Sequence, residues 1–382
     1  MSNEDVSAMT AVPIDPARPA ASGATLAAVV FILVMLAGVW QIIRASQQIG
    51  PGDVPHTWQD FWQGRTTSAL AKHLERNLPE RATLVATANS LRYLLAHGGG
   101  EQVRVGRDGW LFFTDELRFH EDAQSNLAAR ADLLHAASVA LERHGVKLVV
   151  ALVPDKARVY SAHLTGELPD HSKTRYQDAL SALQARGVAA VDLLGPLVLS
   201  AKNGEVYYRS DTHWNQAGAQ AAAAAIATGV RRLSVALTPT EFATEKSGAE
   251  TERPGDLIRL MGLENAPNAL RPLPDRETLL VTRQTSADSS NSLFGDAPVE
   301  VVLTGTSYSL RANFHGFLQQ ALGAKVLNTA KDGGGFLEAV TEYLKDEAFR
   351  SSPPKVLIWE VPERFLGAKL EGEAGWMQEA GL

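Results

Sequence analysis

Apolar positions along this chain change their rhythm three times, and each change predicts a different kind of element. The first is an uncharged run from Thr25 to Ile43, TLAAVVFILVMLAGVWQII. As a helix it would be about 28 Å long at 1.5 Å per residue, close to a bilayer core. Trp40 lies near one end, where interfacial tryptophans are favoured. A cleaved leader would want a cationic start and a shorter apolar run. Here the preceding segment carries Glu4, Asp5 and Asp15 against Arg18, and Arg44 follows at once. The reading is an uncleaved transmembrane anchor behind a flexible tail, residues 1–24. One arginine on each side leaves the orientation unreadable from charge.

The second rhythm is helical. Leu70, Leu74 and Leu78 recur at four-residue spacing, followed by Leu84, Leu91, Leu94 and Leu95. A break at Ile49–Asp53 precedes it, and the folded part is placed from residue 54 to 382. Asp108-Gly109 between two apolar runs, Val103–Val105 and Trp110–Phe113, predicts a short hairpin.

From about residue 126 strand and helix alternate. Helices are expected over 126–144, 173–186, 215–230, 310–322 and 336–349, two of them stopped by Gly145 and Gly187. Between them run Lys147–Val153, Val188–Leu193, Val299–Leu303, Lys325–Leu327 and Lys355–Val361. Nearly unbroken apolar strands separated by helices predict an α/β fold whose parallel sheet is covered on both faces. A polar stretch over 235–298 reads as an insertion. In such folds the working residues lie just after the carboxyl ends of strands.

Leu303-Thr-Gly-Thr-Ser307-Tyr-Ser309 meets that condition. A serine there presents its hydroxyl near backbone N–H groups that could hold an oxyanion. An ordinary helix N-cap would use the same residues, and Ser309 could be that cap even with Ser307 as a nucleophile. A serine needs a base, and a carboxylate to orient the base. Tyr207-Tyr-Arg-Ser-Asp211-Thr-His213-Trp-Asn215 offers both, two residues apart on one loop. The alternative for His213 is packing on Trp214. Among ten histidines, His120 beside Glu121 and the pair His163 and His171 lack comparable framing, and no H-E-x-x-H spacing occurs.

Composition narrows the class. Hydrophobic residues make up 45% and charged residues 21% of 382, the balance of a folded protein. The net charge of −7 without a basic block argues against nucleic acid. With no cysteine, disulfides and thiolate-bound metals are excluded.

Five motifs in order carry a resemblance: Gly106–Phe112 (GRDGWLF), Val153–Lys156 (VPDK), Tyr208–Trp214 (YRSDTHW), Gly305–Ser309 (GTSYS) and Ile358–Arg364 (IWEVPER). Together, over about Phe61 to Phe365, they resemble the alginate O-acetyltransferases of the AlgJ and AlgX type. That family has an SGNH-hydrolase-like catalytic domain, in which Asp and His share one motif and the serine comes from another. The resemblance implies a three-layer sandwich and a triad of Ser307, His213 and Asp211, with G-T-S replacing the G-D-S of true SGNH hydrolases. The usual order is reversed, the Asp-His loop preceding the serine. The apolar N-terminal run and the end at residue 382 favour the membrane-anchored AlgJ-like branch.

The resemblance further implies acetyl transfer through a serine acyl-enzyme onto an exported polysaccharide, alginate or a similar exopolysaccharide. The acetyl group would be relayed by a membrane-bound O-acyltransferase. The catalytic domain would lie in the periplasm on an inner-membrane anchor, without metal or organic cofactor. An acetyl esterase with the same triad and a non-catalytic polysaccharide-binding scaffold are the alternatives. Tyr308 and Arg311, beside the nucleophile, are candidates to line the sugar site. Asn313 is a candidate oxyanion donor. Arg364 could bind a uronate carboxylate or pair with Glu360. Asp155 and Lys156 read either as site-lining or as an ion pair fixing a loop, and Trp110 as a packing residue.

Overall fold

The structure is a computed structural model that describes residues 21–47, 49–50, 54–55, 57–77, 81–285 and 299–382. It divides into two compact units, one ending at Leu84 and one running from Val85 to Leu382.

In the first unit the apolar run falls in one helix, Ala21–Ser46, with Arg44 in its last turn. Many of its side chains, and residues 1–20 of the expected tail, lie outside the described residues. Among the described residues no helix is long and apolar enough to cross a membrane. The helices Trp58–Trp62 and Arg65–Asn77 follow. Leu78, one of the leucines that set the helical rhythm, is outside the described residues.

The second unit begins within the helix Arg81–Ala96, and the expected hairpin follows it, β1 (Val103–Val105) against β2 (Leu111–Phe113). Its two turn residues, Asp108 and Gly109, have φ of 55° and 80°. Positive φ at both central positions is the type I′ geometry that matches strand twist, which is why Asp-Gly marks such turns. Trp110 is buried and stacks on Tyr160 with ring centroids 3.9 Å apart.

β3 (Lys147–Val153), β4 (Ala190–Asp192), β7 (Val301–Thr304), β8 (Val326–Asn328) and β9 (Val356–Pro362) form one parallel sheet in the order β4-β3-β9-β7-β8. Alternate residues of a strand point to opposite faces. Val149, Ala151 and Val153 join a core with the helices Leu194–Ala201, Gln216–Arg231 and Phe314–Leu322. Leu148, Val150 and Leu152 join another with Ala123–Arg143, Arg175–Ala185 and Glu338–Lys345. Both faces are covered, so the strands are apolar throughout, and the fold is the α/β three-layer arrangement expected.

The alanine-rich composition of Gln216–Arg231 lets its backbone approach closely. A Cβ on Gly218 would lie 2.1 Å from the carbonyl oxygen of Val206, and one on Gly229 2.5 Å from Val191. Within the polar stretch 235–298, β5 (Phe242–Arg253) and β6 (Asp275–Gln284) make a long antiparallel hairpin with an irregularity between Ser247 and Thr251. Residues 286–298 of that stretch lie outside the described residues.

Candidate active site

β7 ends at Thr304, and the chain must turn at once to leave the sheet. Gly305 makes the turn at φ 149°, where a Cβ would lie 2.7 Å from the backbone oxygen of Glu360 on the adjacent β9. No other residue fits that approach. Thr306 then caps the short 3₁₀ turn Ser307–Leu310, its hydroxyl accepting from the N–H of Tyr308. Ser309, which the sequence left open as a cap, is not one: it is buried and donates to Glu360 Oε2 at 3.1 Å. The α-helix starts later than its pattern suggests, at Phe314, because Ala312 and Asn313 adopt positive φ.

Glu360 is the clasp of this turn. Fully buried, it accepts from the N–H of Thr306 at 2.7 Å and from the Thr306 and Ser309 hydroxyls. Burial pushes its carboxyl up, and the hydrogen bonds from Thr306 and Ser309 work against that shift.

The Asp-His loop faces Ser307. His213 Nε2 is 2.7 Å from Ser307 Oγ, and its Nδ1 is 2.6 Å from Asp211 Oδ1. Asp211 Oδ1 also accepts the His213 N–H, and Oδ2 accepts Arg253 Nη1 at 2.9 Å and the Asp256 N–H at 3.1 Å. Burial opposes the charge on Asp211, but the His213 bond and charge, then Arg253, hold its carboxyl well below the usual range. An ionised carboxylate only accepts, so the His213 proton is on Nδ1 and Nε2 is free to accept from Ser307. The arrangement is a serine, a base and an orienting acid in working geometry.

The loop has little regular structure beyond one bridge, Tyr207 to Trp214. Lys156, fully buried three residues beyond β3, donates to the carbonyls of Tyr208, Arg209 and Asp211 at 3.0, 3.2 and 2.7 Å. Burial pushes its ammonium down to about 8, with Glu116 the leading opposing charge. Asp155 does not pair with it. It binds Arg175 at 2.6 Å and Arg364 at 2.9 Å.

The remaining candidates divide. Arg364 lines the cleft in front of Ser307 but is held by Asp155, not by Glu360. Tyr308 is fully buried: its hydroxyl donates to the Thr212 carbonyl at 2.8 Å and its ring packs edge-on to His213. It therefore supports the base instead of lining a sugar site. Arg311 is half exposed and paired with Asp332, a cleft residue, at 2.6 Å. Asn313 is not aimed at Ser307, since its amide donates to Thr282 at 2.9 Å.

The cleft measures about 1160 Å³ and is walled by Thr306, Ser307, Phe113, the Gly333–Gly335 loop and Phe336. That exceeds most drug-sized pockets and would admit several sugar rings. Asp211, His213 and Asp256 each offer an atom within 4.8 Å of the others, a grouping of metal-ligand type. Their oxygens already accept N–H and hydroxyl donors, Thr212 Oγ1 binding Asp256 at 2.6 Å, and a cation would have to displace these.

Comparison with known proteins points the same way. A family described as an SGNH hydrolase-like domain of the acetyltransferase AlgX matches residues 103–363. The chain is similar to the probable alginate O-acetylase AlgJ of Pseudomonas aeruginosa, 34% identical over 346 residues that cover 88% of this chain and 87% of that one. Among solved structures it is similar to the O-acetyltransferase domain of Pseudomonas putida AlgJ, with a TM-score of 0.64 and 34% identity over 73% of this chain and 98% of that one. Pseudomonas aeruginosa AlgX superposes with a TM-score of 0.55 at 25% identity, covering 73% of this chain and 67% of that one. A serine at a strand end, a neighbouring histidine and aspartate, and this likeness over most of the chain lead to one assignment: the protein belongs to the AlgX-type family of SGNH hydrolase-like O-acetyltransferases.

Proposed function

We propose that the protein transfers acetyl groups through a Ser307 acyl-enzyme onto hydroxyls of an exported polysaccharide, alginate or one like it. The contact between Ser307 Oγ and His213 Nε2, 2.7 Å long and open to a large cleft, carries this reading. In the first half-reaction Ser307 Oγ bonds to the acetyl carbon as His213 takes its proton. The donor's carbon–oxygen bond breaks and that proton goes to the leaving oxygen. In the second, His213 takes the proton of a sugar hydroxyl, the sugar oxygen bonds to the acetyl carbon, and the ester to Ser307 breaks. The proton returns to Ser307 Oγ. The N–H of Ser307, at the start of its turn, stabilises the oxyanion of both steps in this reading.

In this reading Ala21–Ser46 is an inner-membrane anchor and Val85–Leu382 works in the periplasm. Val29, Ile32, Met35, Leu36, Val39, Ile42 and Ile43 are all exposed on that helix, which suits a lipid surrounding. Coenzyme A is not available outside the cytoplasm, so the donor is an acetyl group handed across by a membrane-bound O-acyltransferase.

The test supplies a small acetyl ester as donor and oligouronate as acceptor, with mass spectrometry of the sugar. Acetylated oligouronate is expected from the wild type and none from Ser307→Ala. Release of acetate alone, whatever sugar is offered, would make the protein an esterase.

A further inference from the structure

The β5–β6 hairpin has no part in the chemistry above, yet its base grips the Asp-His loop. Asp275 at the start of β6 accepts the N–H groups of Arg209 and Ser210 at 2.8 and 2.9 Å. Glu277 accepts the Tyr208 hydroxyl and the Gln216 amide, both at 2.7 Å. Arg253, the last residue of β5, reaches the triad itself. Its Nη1 donates to Asp211 Oδ2 at 2.9 Å, its Nε lies 3.2 Å from Glu277 Oε1, and its guanidinium lies 4.0 Å over the Tyr208 ring.

We propose that Arg253 is a positioning residue for acetyl transfer, acting through Asp211. The inference rests on the triad reading of Ser307, His213 and Asp211. A carboxylate can rotate about its last bond, and only one orientation gives Oδ1 to His213 Nδ1. Arg253 and the Asp256 N–H fix Oδ2 from the other side and so set that orientation. A second need is electrostatic. The Asp256 carboxylate lies 3.6 Å from His213 Nδ1, within reach to compete for it and to repel Asp211. After the hydrogen bond and charge of His213, Arg253 adds a cation that favours the ionised form of Asp211 beside that second acid. A lysine could restore the charge but not the fork that spans Asp211 and Glu277 while lying flat on Tyr208.

Such a residue stabilises the transition state without touching substrate. Arg253→Met is expected to lower kcat for a small acetyl ester about 10- to 100-fold, the range for losing a hydrogen bond to a charged group. KM should stay within about twofold, because Arg253 does not line the cleft. The melting temperature should fall, because Asp211 and Glu277 lose their cation, so kcat is taken per folded molecule. Labelling of Ser307 by phenylmethylsulfonyl fluoride should slow in proportion to kcat. Arg253→Lys should recover part of the loss. In an Asp211→Asn background Arg253→Met should cost nothing further, since its target is gone. A kcat within twofold of wild type, or an equal fold-loss in the Asp211→Asn background, would overturn the proposal. Ser307→Ala is run alongside: if it kept full turnover, the triad reading itself would fall, and the two failures are thereby told apart.

Discussion

The two halves of the candidate triad are held in opposite ways. Ser307 rides on the sheet: β7 and β9 pair up to Thr304 and Trp359, and the next residue of β9, Glu360, closes the turn. The Asp-His loop rides on nothing regular. Its carbonyls are tied by Lys156, more than fifty positions earlier, and its N–H groups by Asp275, more than sixty positions later. A nucleophile that must meet an oxyanion donor gains from the rigidity of a strand end. A base oriented by a carboxylate two residues away can be built on a loop, provided remote groups satisfy the loop's backbone.

The sharpest way to test that division is Asp211→Asn. The amide keeps the shape of the loop but permits the wrong imidazole tautomer, and the analogous change in a serine protease lowers kcat by about 10⁴. A similar loss of acetyl-ester turnover is expected here, with the melting temperature little changed. Should stability fall while turnover per folded molecule holds, Asp211 is a loop anchor and His213 a packing residue.

Lys156→Met attacks the loop's support alone. It would leave the carbonyls of Tyr208 and Asp211 buried without this donor, while that of Arg209 keeps the Leu111 N–H. A cost of about 3 kcal/mol in unfolding free energy is expected from such unsatisfied groups, read by urea titration. Turnover should fall as well, since the Asp211 backbone moves with the loop. Intact turnover in a destabilised protein would show that the loop does not depend on Lys156.

This contrast also explains what could be read in advance. β3 and β9 were legible because a strand buried on both faces is apolar without a break. The Asp108-Gly109 turn was legible because few residues accept positive φ. Ser307, His213 and Asp211, the proposed triad, were legible through motifs and a resemblance, since each lies in a short motif with its own surroundings. The clasps were not. Glu360 and Lys156 act on segments about fifty residues away, and adjacency misled in both cases: Asp155 beside Lys156 suggested a pair, as did Glu360 near Arg364, whereas Asp155 and Arg364 bind each other. Arg253 was hidden in a polar stretch with no period, where only the folded hairpin brings it to Asp211. The sequence pattern runs one helix over 310–322, with Asn313 inside it as a candidate donor to the site. The positive φ at Ala312 and Asn313 turns that amide to Thr282 instead.

A third prediction concerns a buried charge cluster that, among the described residues, makes no hydrogen bond to the Asp-His loop. Glu363 is fully buried between Arg158 and Arg175. Burial, then the charge of Asp155, pushes its carboxyl up from 4.5 to about 7 against the two arginines. A carboxyl whose pKa is raised on folding stabilises the fold below its unfolded value and loses that contribution as pH climbs through the folded one. Stability should therefore decline between roughly pH 4.5 and 7 on this group's account. Glu363→Gln stays neutral and should remove that part of the slope. Thermal melts of both proteins across the window check it. Parallel curves would mean that the arginines keep Glu363 ionised throughout.

The smallest expected effect lies on the nucleophile's side and measures how much redundancy its clasp has. Ser309 gives Glu360 one hydrogen bond of 3.1 Å, while Thr306 gives the same carboxylate its N–H at 2.7 Å and its hydroxyl at 2.9 Å. Removing one neutral donor from a set of three leaves the carboxylate satisfied by the other two. Ser309→Ala should thus cost about 1 kcal/mol of stability and leave acetyl transfer close to the wild type. Thr306→Val removes the hydroxyl that both caps the turn and binds Glu360, so it should be worse on both counts, though its N–H bond remains. The ranking matters more than either value. If Ser309→Ala abolished turnover while Thr306→Val did not, the turn would be organised around Ser309, and the contrast between a strand-held nucleophile and a loop-held base would have to be redrawn.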